Sequence, residues 1–159
     1  MIRYIPGALA LLFSMHCSAD LRVKSSDEAC ALLTDAHLRG GEWGQTPDGK
    51  EGCRSNPRPL NANSSGVISF LVEGSDNRPV KVRLLVDIPA PDDEAPAKRE
   101  LVKVTKRLVV RALGLSLPFP AEESIMKGIP VILPLGTGTL TISRTSGVRG
   151  HYQMSVAME

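Results

Sequence analysis

Beyond residue 19, two cysteines and two histidines are the side chains best suited to chemistry. A nucleophilic cysteine needs a free thiol within hydrogen-bond reach of an imidazole, and on a helix Cys30 and His37 would share a face at a spacing of seven. A zinc site needs ligand pairs at close spacing, which Cys30, His37, Cys53 and His151 do not provide. We therefore predict no catalytic residue and no metal ligand in this set, and we interpret His37 as a surface residue.

The two cysteines have a simpler interpretation. In an oxidising compartment, an even count with a single possible pairing predicts a disulfide. A Cys30–Cys53 bond would close a loop of about 24 residues and stabilise the fold by about 3 kcal/mol. It would also remove the thiol that a cysteine nucleophile requires.

Two short motifs resemble those of serine acylases. Ser124 and Lys127 match S-x-x-K, and Ser75-Asp76-Asn77 matches S-D-N. Their order is reversed from that of the enzymes and no K-T-G follows, so we interpret both as chance and the second as a hairpin turn. Gly136-Thr-Gly138 lacks the third glycine and the helix of a dinucleotide site. The sequence thus predicts a protein that is not an enzyme and binds no cofactor.

A hairpin followed by a long helix organises the chain. Ile68, Phe70 and Val72 alternate with residues of the opposite face, which is the period-2 pattern of a half-buried strand. A second strand follows on the same pattern, with five inward positions: Val80, Val82, Leu84, Val86 and Ile88. The long helix is predicted from about Asp93 to Leu113 and ends at Gly114.

The remaining elements pack against this unit. A first helix is predicted from Ser25, which with Glu28 fits a capping box, to a glycine stop after Arg39. We further expect an edge strand over 52–54, a short helix over 121–127, and two final strands with inward Leu140 and Ile142, then Tyr152, Met154 and Val156. The predicted fold class is α+β, an antiparallel four- to five-stranded sheet with helices packed on one face, in a single domain over 20–159.

The long helix carries one charged feature of interest. Its apolar stripe is formed by Leu101, Val104, Leu108 and Ala112, and the opposite face is basic, with Arg99, Lys103, Lys106 and Arg107. Such a face is either solvated or binds an acidic envelope or periplasmic protein, since surface charges steer such encounters. We keep these four residues as candidates for partner binding. Nucleic acid is excluded as a partner because residues 20–159 have a net charge of only +1 and few aromatic side chains.

The first 19 residues have the pattern of a cleaved signal peptide. A short basic start ending at Arg3 precedes an apolar run over 5–13, and Ala19 marks the expected cleavage site. Lipidation at Cys17 is less favoured because bulky Met15 and His16 precede it. We predict a periplasmic or secreted bacterial protein with no transmembrane segment after cleavage.

The leader, Cys30 and Cys53, Val72-Glu73-Gly74, and Ala112-Leu-Gly114 followed by Leu117-Pro118 together resemble small exported bacterial proteins grouped as a domain of unknown function. This resemblance implies a bacterial periplasm and carries no catalytic residues.

Two hypotheses about function follow. The first is a non-catalytic protein-interaction, inhibitor or immunity-type module that uses the basic helix face or the open sheet face. The alternative is a small envelope hydrolase with His151 or His37 as base, in which a pocket would join a histidine to a carboxylate. The oligomeric state stays open.

Overall fold

A computed structural model describes residues 21–159. The predicted signal peptide and Cys17 lie outside these residues. The described chain is an α+β fold with one antiparallel sheet and three α-helices, which confirms the predicted class.

The helices are α1 (Ser26–Cys30), α2 (Pro91–Leu113) and α3 (Phe119–Lys127), with a three-residue 310 helix over Thr34–Ala36. The strands are β1 (Gly44–Gln45), β2 (Glu51–Arg54), β3 (Arg58–Pro59), β4 (Val67–Ser75), β5 (Arg78–Ile88), β6 (Val131–Leu135), β7 (Gly138–Ser146) and β8 (Tyr152–Met158).

The sheet has the order β1-β2-β4-β5-β8-β7-β6, and β3 also pairs with β4. The β4–β5 hairpin aligns the predicted inward residues of its two strands, with Phe70 opposite Leu84 and Val72 opposite Val82. Strand β8 lies between β5 and β7 although it follows both in the chain. The long strands β4, β5, β8 and β7 therefore form the middle of the sheet.

The core is formed by the positions that alternation predicted. Ile68, Phe70 and Val72 are fully buried, as are the matching residues of β5, β7 and β8. The α2 stripe residues Leu101, Val104, Leu108 and Ala112 are at most 1% exposed, and buried residues of all three helices belong to the same cluster. Of the predicted inward side chains, Val80 is 40% exposed; it lies near the start of β5, close to the β4–β5 turn.

The predicted strand number is wrong, because the sheet has eight strands rather than four or five. Two extra strands, β1 and β3, are two residues long and lie in a segment rich in Gly and Pro, a composition typical of loops. The third, β6, contains Pro134, whose missing N–H is tolerated because β6 is an edge strand. The predicted edge strand over 52–54 is β2, flanked outside by β1.

The first helix is much shorter than predicted. Ser25 does cap it, since its hydroxyl accepts a hydrogen bond from the Glu28 N–H at 3.2 Å. The helix ends at Cys30 because the Leu32 N–H bonds the Ala29 carbonyl, three residues back, instead of the Glu28 carbonyl. The Cys30 carbonyl accepts from the Gly40 N–H at 2.7 Å.

Candidate functional site

The basic face of α2 lies opposite its buried stripe, as the period of the helix requires. Arg99 is exposed, and the side chains of Lys103, Lys106 and Arg107 are 60%, 51% and 41% exposed. Arg111 extends this face by one turn and is 40% exposed. We call these five residues the α2 basic face.

Three carboxylates lie along the edges of this face. Lys103 is 3.7 Å from Glu100, a neighbour on the same helix. Lys106 forms a 2.8 Å ion pair with Glu122 of α3. Arg107 lies 3.6 Å from Asp35 of the 310 helix. Glu100 is also bound by Arg58 of β3 at 2.6 Å. The five cations of the face and Arg58 therefore share three carboxylates, so cations outnumber carboxylates here.

Asp35 is the most strongly engaged of these acids. It accepts hydrogen bonds from both terminal nitrogens of Arg111, one of them at 2.8 Å. The Arg111 hydrogen bonds, with the charge of Arg107, hold the pKa of Asp35 below its usual range. Asp35 is far from α2 in the sequence, so the sequence alone did not reveal this pairing.

An apolar side chain lies within the α2 basic face. Val110 is 55% exposed, one turn beyond Lys106 and Arg107. Protein interfaces combine a charged, solvated rim with an apolar centre. The α2 basic face has the same arrangement on a small scale, with Val110 as the apolar centre and the cations as the charged rim.

The predicted disulfide is present. Cys30 at the end of α1 and Cys53 on β2 are bonded, with their Cα atoms 6.2 Å apart, within the ordinary range. Both are at most 5% exposed. Gly40 lies against the bond, and a Cβ there would be 2.7 Å from the Cys53 Sγ. No free thiol is left in the described chain for a nucleophile.

Neither described histidine lies within hydrogen-bond distance of a carboxylate, although His151 and Asp87 line the same open recess. His37 is exposed, with a left-handed backbone (φ 56°). His151 Nε2 is 4.0 Å from Asp87 Oδ1, beyond hydrogen-bond distance, while Asp87 accepts from the Gln153 amide at 2.8 Å. The recess around His151 is open and about 180 Å³. The hydrolase alternative stays an untested prediction.

The serine motifs are also not assembled into a site. Lys127 forms its ion pair with Glu123 at 2.6 Å. Asp76 and Asn77 form the β4–β5 turn, both with positive φ, as residues of a type I′ turn require. Among residues 21–159 no cluster of three metal-ligating side chains occurs, and no helix there is long and apolar enough to cross a membrane.

The sheet face away from the helix core carries the polar residues that alternation predicted. We call it the open face. Side chains from neighbouring strands form rows across it, one of them containing Ser69, Leu85, Ser155 and Ser143. Small side chains in the middle leave a trough of about 270 Å³. Leu71 and Ala157 are each 6% exposed on this face, although they are not in the core cluster.

Charged side chains on the open face are paired. Lys81 binds Glu159 at 2.8 Å, and Arg83 lies 3.2 Å from Glu73, which also binds Lys50. Burial would raise the pKa of Glu73, but the Lys50 hydrogen bond and the neighbouring cations outweigh it and lower the pKa.

Sequence reasoning missed a polar cluster where α2, α3, β7 and β8 meet. Lys98 is 7% exposed and binds Glu94 one turn earlier. The Arg144 guanidinium lies over the Tyr152 ring, 3.8 Å from its centroid. Burial and, second, the Glu94 carboxylate raise the pKa of Tyr152 to about 12. The protonated phenol and the ion pair suit a structural role that holds the two helices to the sheet.

The chain matches no known family model, no curated protein and no solved structure. The resemblance to exported proteins of unknown function therefore stays a prediction. Function must be argued from the surfaces described above.

Proposed function

We propose that this protein is an exported, non-catalytic interaction protein of inhibitor or immunity type that binds an acidic envelope or periplasmic partner through the α2 basic face. The observation that carries the proposal is the excess of cations over carboxylates on that face, with Val110 exposed among them. Charges on the rim of an interface speed encounter and select the partner.

Several observations favour a protein partner over a polyanion. Residues 20–159 carry a net charge of only +1, so the basic face is a local feature and gives little long-range attraction to nucleic acid or anionic lipid. The intramolecular carboxylates also limit the positive potential. A matched acidic surface can replace them because the side chains of Lys103, Lys106 and Arg107 stay 41–60% exposed.

Export is part of the proposal. The Cys30–Cys53 disulfide suits an oxidising compartment. The absence of a membrane-spanning helix among residues 21–159 is compatible with a released protein. The periplasm is our proposed location.

The test compares capture by charge-reversed bait. The tagged protein is incubated with periplasmic extract, and its partners are quantified against the Lys103→Glu/Arg107→Glu variant. We expect the main partner to have an acidic surface and to bind the variant at least about tenfold more weakly. The control is Arg149→Glu, which changes an exposed cation in the turn before β8.

Equal capture by the wild-type protein and the charge-reversed variant would contradict the proposal. Equal loss in both variants would mean that total charge, rather than the α2 basic face, determines binding. Raising the salt concentration should weaken the wild-type complex more than that of the charge-reversed variant, because screening acts on the charges that the variant lacks.

A further inference from the structure

The central strand of the open face has a self-complementary pattern. β5 has β4 and β2 on one side and β8, β7 and β6 on the other. Its outward residues include Arg83, Leu85 and Asp87, so opposite charges lie about 7 Å on either side of a leucine. If β5 packed face to face against β5 of a second copy running in the opposite direction, Arg83 of each copy would lie over Asp87 of the other.

We propose that the open face binds a second copy of this chain and forms a two-fold symmetric dimer. The two-fold axis would lie in the plane between the two sheets. It would run perpendicular to the strands, along the row that contains Leu85 and Ser155. In such an isologous contact each strand packs against the same strand of the second copy, and symmetry forms the Arg83–Asp87 pair twice. Leu85 then faces the second copy's Leu85.

The neighbouring strands fit the same operation. On β4 it brings Leu71 opposite the second copy's Val67, although Leu71 is already covered within its own chain at 6% exposure. On β8 it brings Glu159 towards the second copy's His151 and places Ser155 on the axis. Small residues in the central row permit close approach of the two sheets.

The charges of this face can enter an interface because they already have partners. Arg83 is held by Glu73 at 3.2 Å, and Asp87 accepts from Gln153 at 2.8 Å. The Arg83 side chain is already only 28% exposed. Part of the desolvation cost of Arg83 is thus met within the folded chain, whereas the Asp87 side chain is 43% exposed and its desolvation must be offset by the new contact with Arg83 of the second copy.

The area sets the expected affinity. Five strands span about 24 Å, and the outward residues from Lys81 to Asp87 span about 20 Å, which gives about 500 Å² of flat area per copy. Stable interfaces of standard size bury about 800 Å² per partner. A dimer through this face is smaller than a standard stable interface, so we expect it to be weak and to dissociate on dilution.

The experiment is sedimentation analysis of the purified protein over a concentration series from about 1 to 500 µM. Arg83→Asp replaces the two Arg83–Asp87 pairs of the contact by two pairs of carboxylates. We expect the dissociation constant of the dimer to rise about 10- to 100-fold. Asp87→Arg should have the same effect. The double variant Arg83→Asp/Asp87→Arg restores both pairs and should dimerise more tightly than either single variant, but more weakly than the wild-type protein, because its carboxylate at position 83 lies beside Glu73.

The controls separate this contact from folding and from the α2 basic face. Circular dichroism tests each variant for folding. If Arg83→Asp does not fold, Ser155→Arg should abolish the dimer while Ser155→Ala keeps it. The Lys103→Glu/Arg107→Glu variant should dimerise like the wild-type protein, because its charges are on the helical side. A monomeric wild-type protein across the series, or a double variant that does not recover, would overturn the proposal.

Discussion

Thr105 is expected to weaken the fold, and replacing it by valine should stabilise the protein. This side chain is 0% exposed on the buried side of α2, and within residues 21–159 its hydroxyl oxygen has no hydrogen-bond partner. A buried hydroxyl without a partner costs about 1–3 kcal/mol. Valine has the same shape and the same β-branch, so the helix loses little.

We therefore expect Thr105→Val to raise the free energy of unfolding by about 1–2 kcal/mol. For a domain of this size that corresponds to a rise in Tm of about 3–6 °C. Urea denaturation followed by the fluorescence of Trp43, the single tryptophan, measures the change at constant m-value.

Two variants at the same position check the cause. Thr105→Ser keeps the hydroxyl and removes a methyl group, so it should destabilise. Thr105→Ala removes both groups and leaves a small cavity, so it should be less stable than the valine variant. The reasoning is refuted if valine leaves stability unchanged or lowers it, since the hydroxyl would then have a partner in solution.

Three further predictions concern the disulfide and the polar cluster. Removing the bond by the double variant Cys30→Ala/Cys53→Ala should cost about 3 kcal/mol by urea denaturation, and no loss would contradict a closed loop of this length. Gly40→Ala places a Cβ 2.7 Å from the Cys53 Sγ and should destabilise by about 2 kcal/mol, whereas Gly44→Ala, where nothing lies within 4 Å, should not. Tyr152 should titrate near pH 12 by absorbance, and Glu94→Gln should lower that pKa. Because the folded-state pKa of Tyr152 lies above that of the unfolded chain, stability should fall as the pH rises from about 10 to 12. A midpoint near 10 in the folded wild-type protein would show that the phenol is solvated.

The long elements could be predicted from sequence because their burial repeats at a fixed period. Phe70 and Leu84 belong to alternating strands, and Leu101 and Leu108 to a helical stripe, so each is identified by its neighbours in sequence. Strands β1 and β3 have only two residues each and carry no period. Their positions depend on pairing with β2 and β4, which local sequence does not encode.

The same limit applies to the candidate site. The cations of the α2 basic face follow from a helical wheel, and so does their exposure. Their carboxylate partners come from other elements, Asp35 from the 310 helix and Glu122 from α3. The Cys30 carbonyl at the end of α1 likewise bonds the N–H of Gly40, ten residues further along the chain. Tertiary contacts of this kind override local propensity.

The place of β8 in the sheet has a consequence for how the chain becomes folded. Every residue of β8 comes later in the sequence than β5 and β7, yet β8 joins them. Until residues 152–158 have been synthesised, β7 and β6 have no edge to which they can add, and the hydrophobic layer beneath them stays open. Pairings at such long sequence separation form slowly. A nascent chain would therefore remain incompletely folded until residues 152–158 can pair with β5.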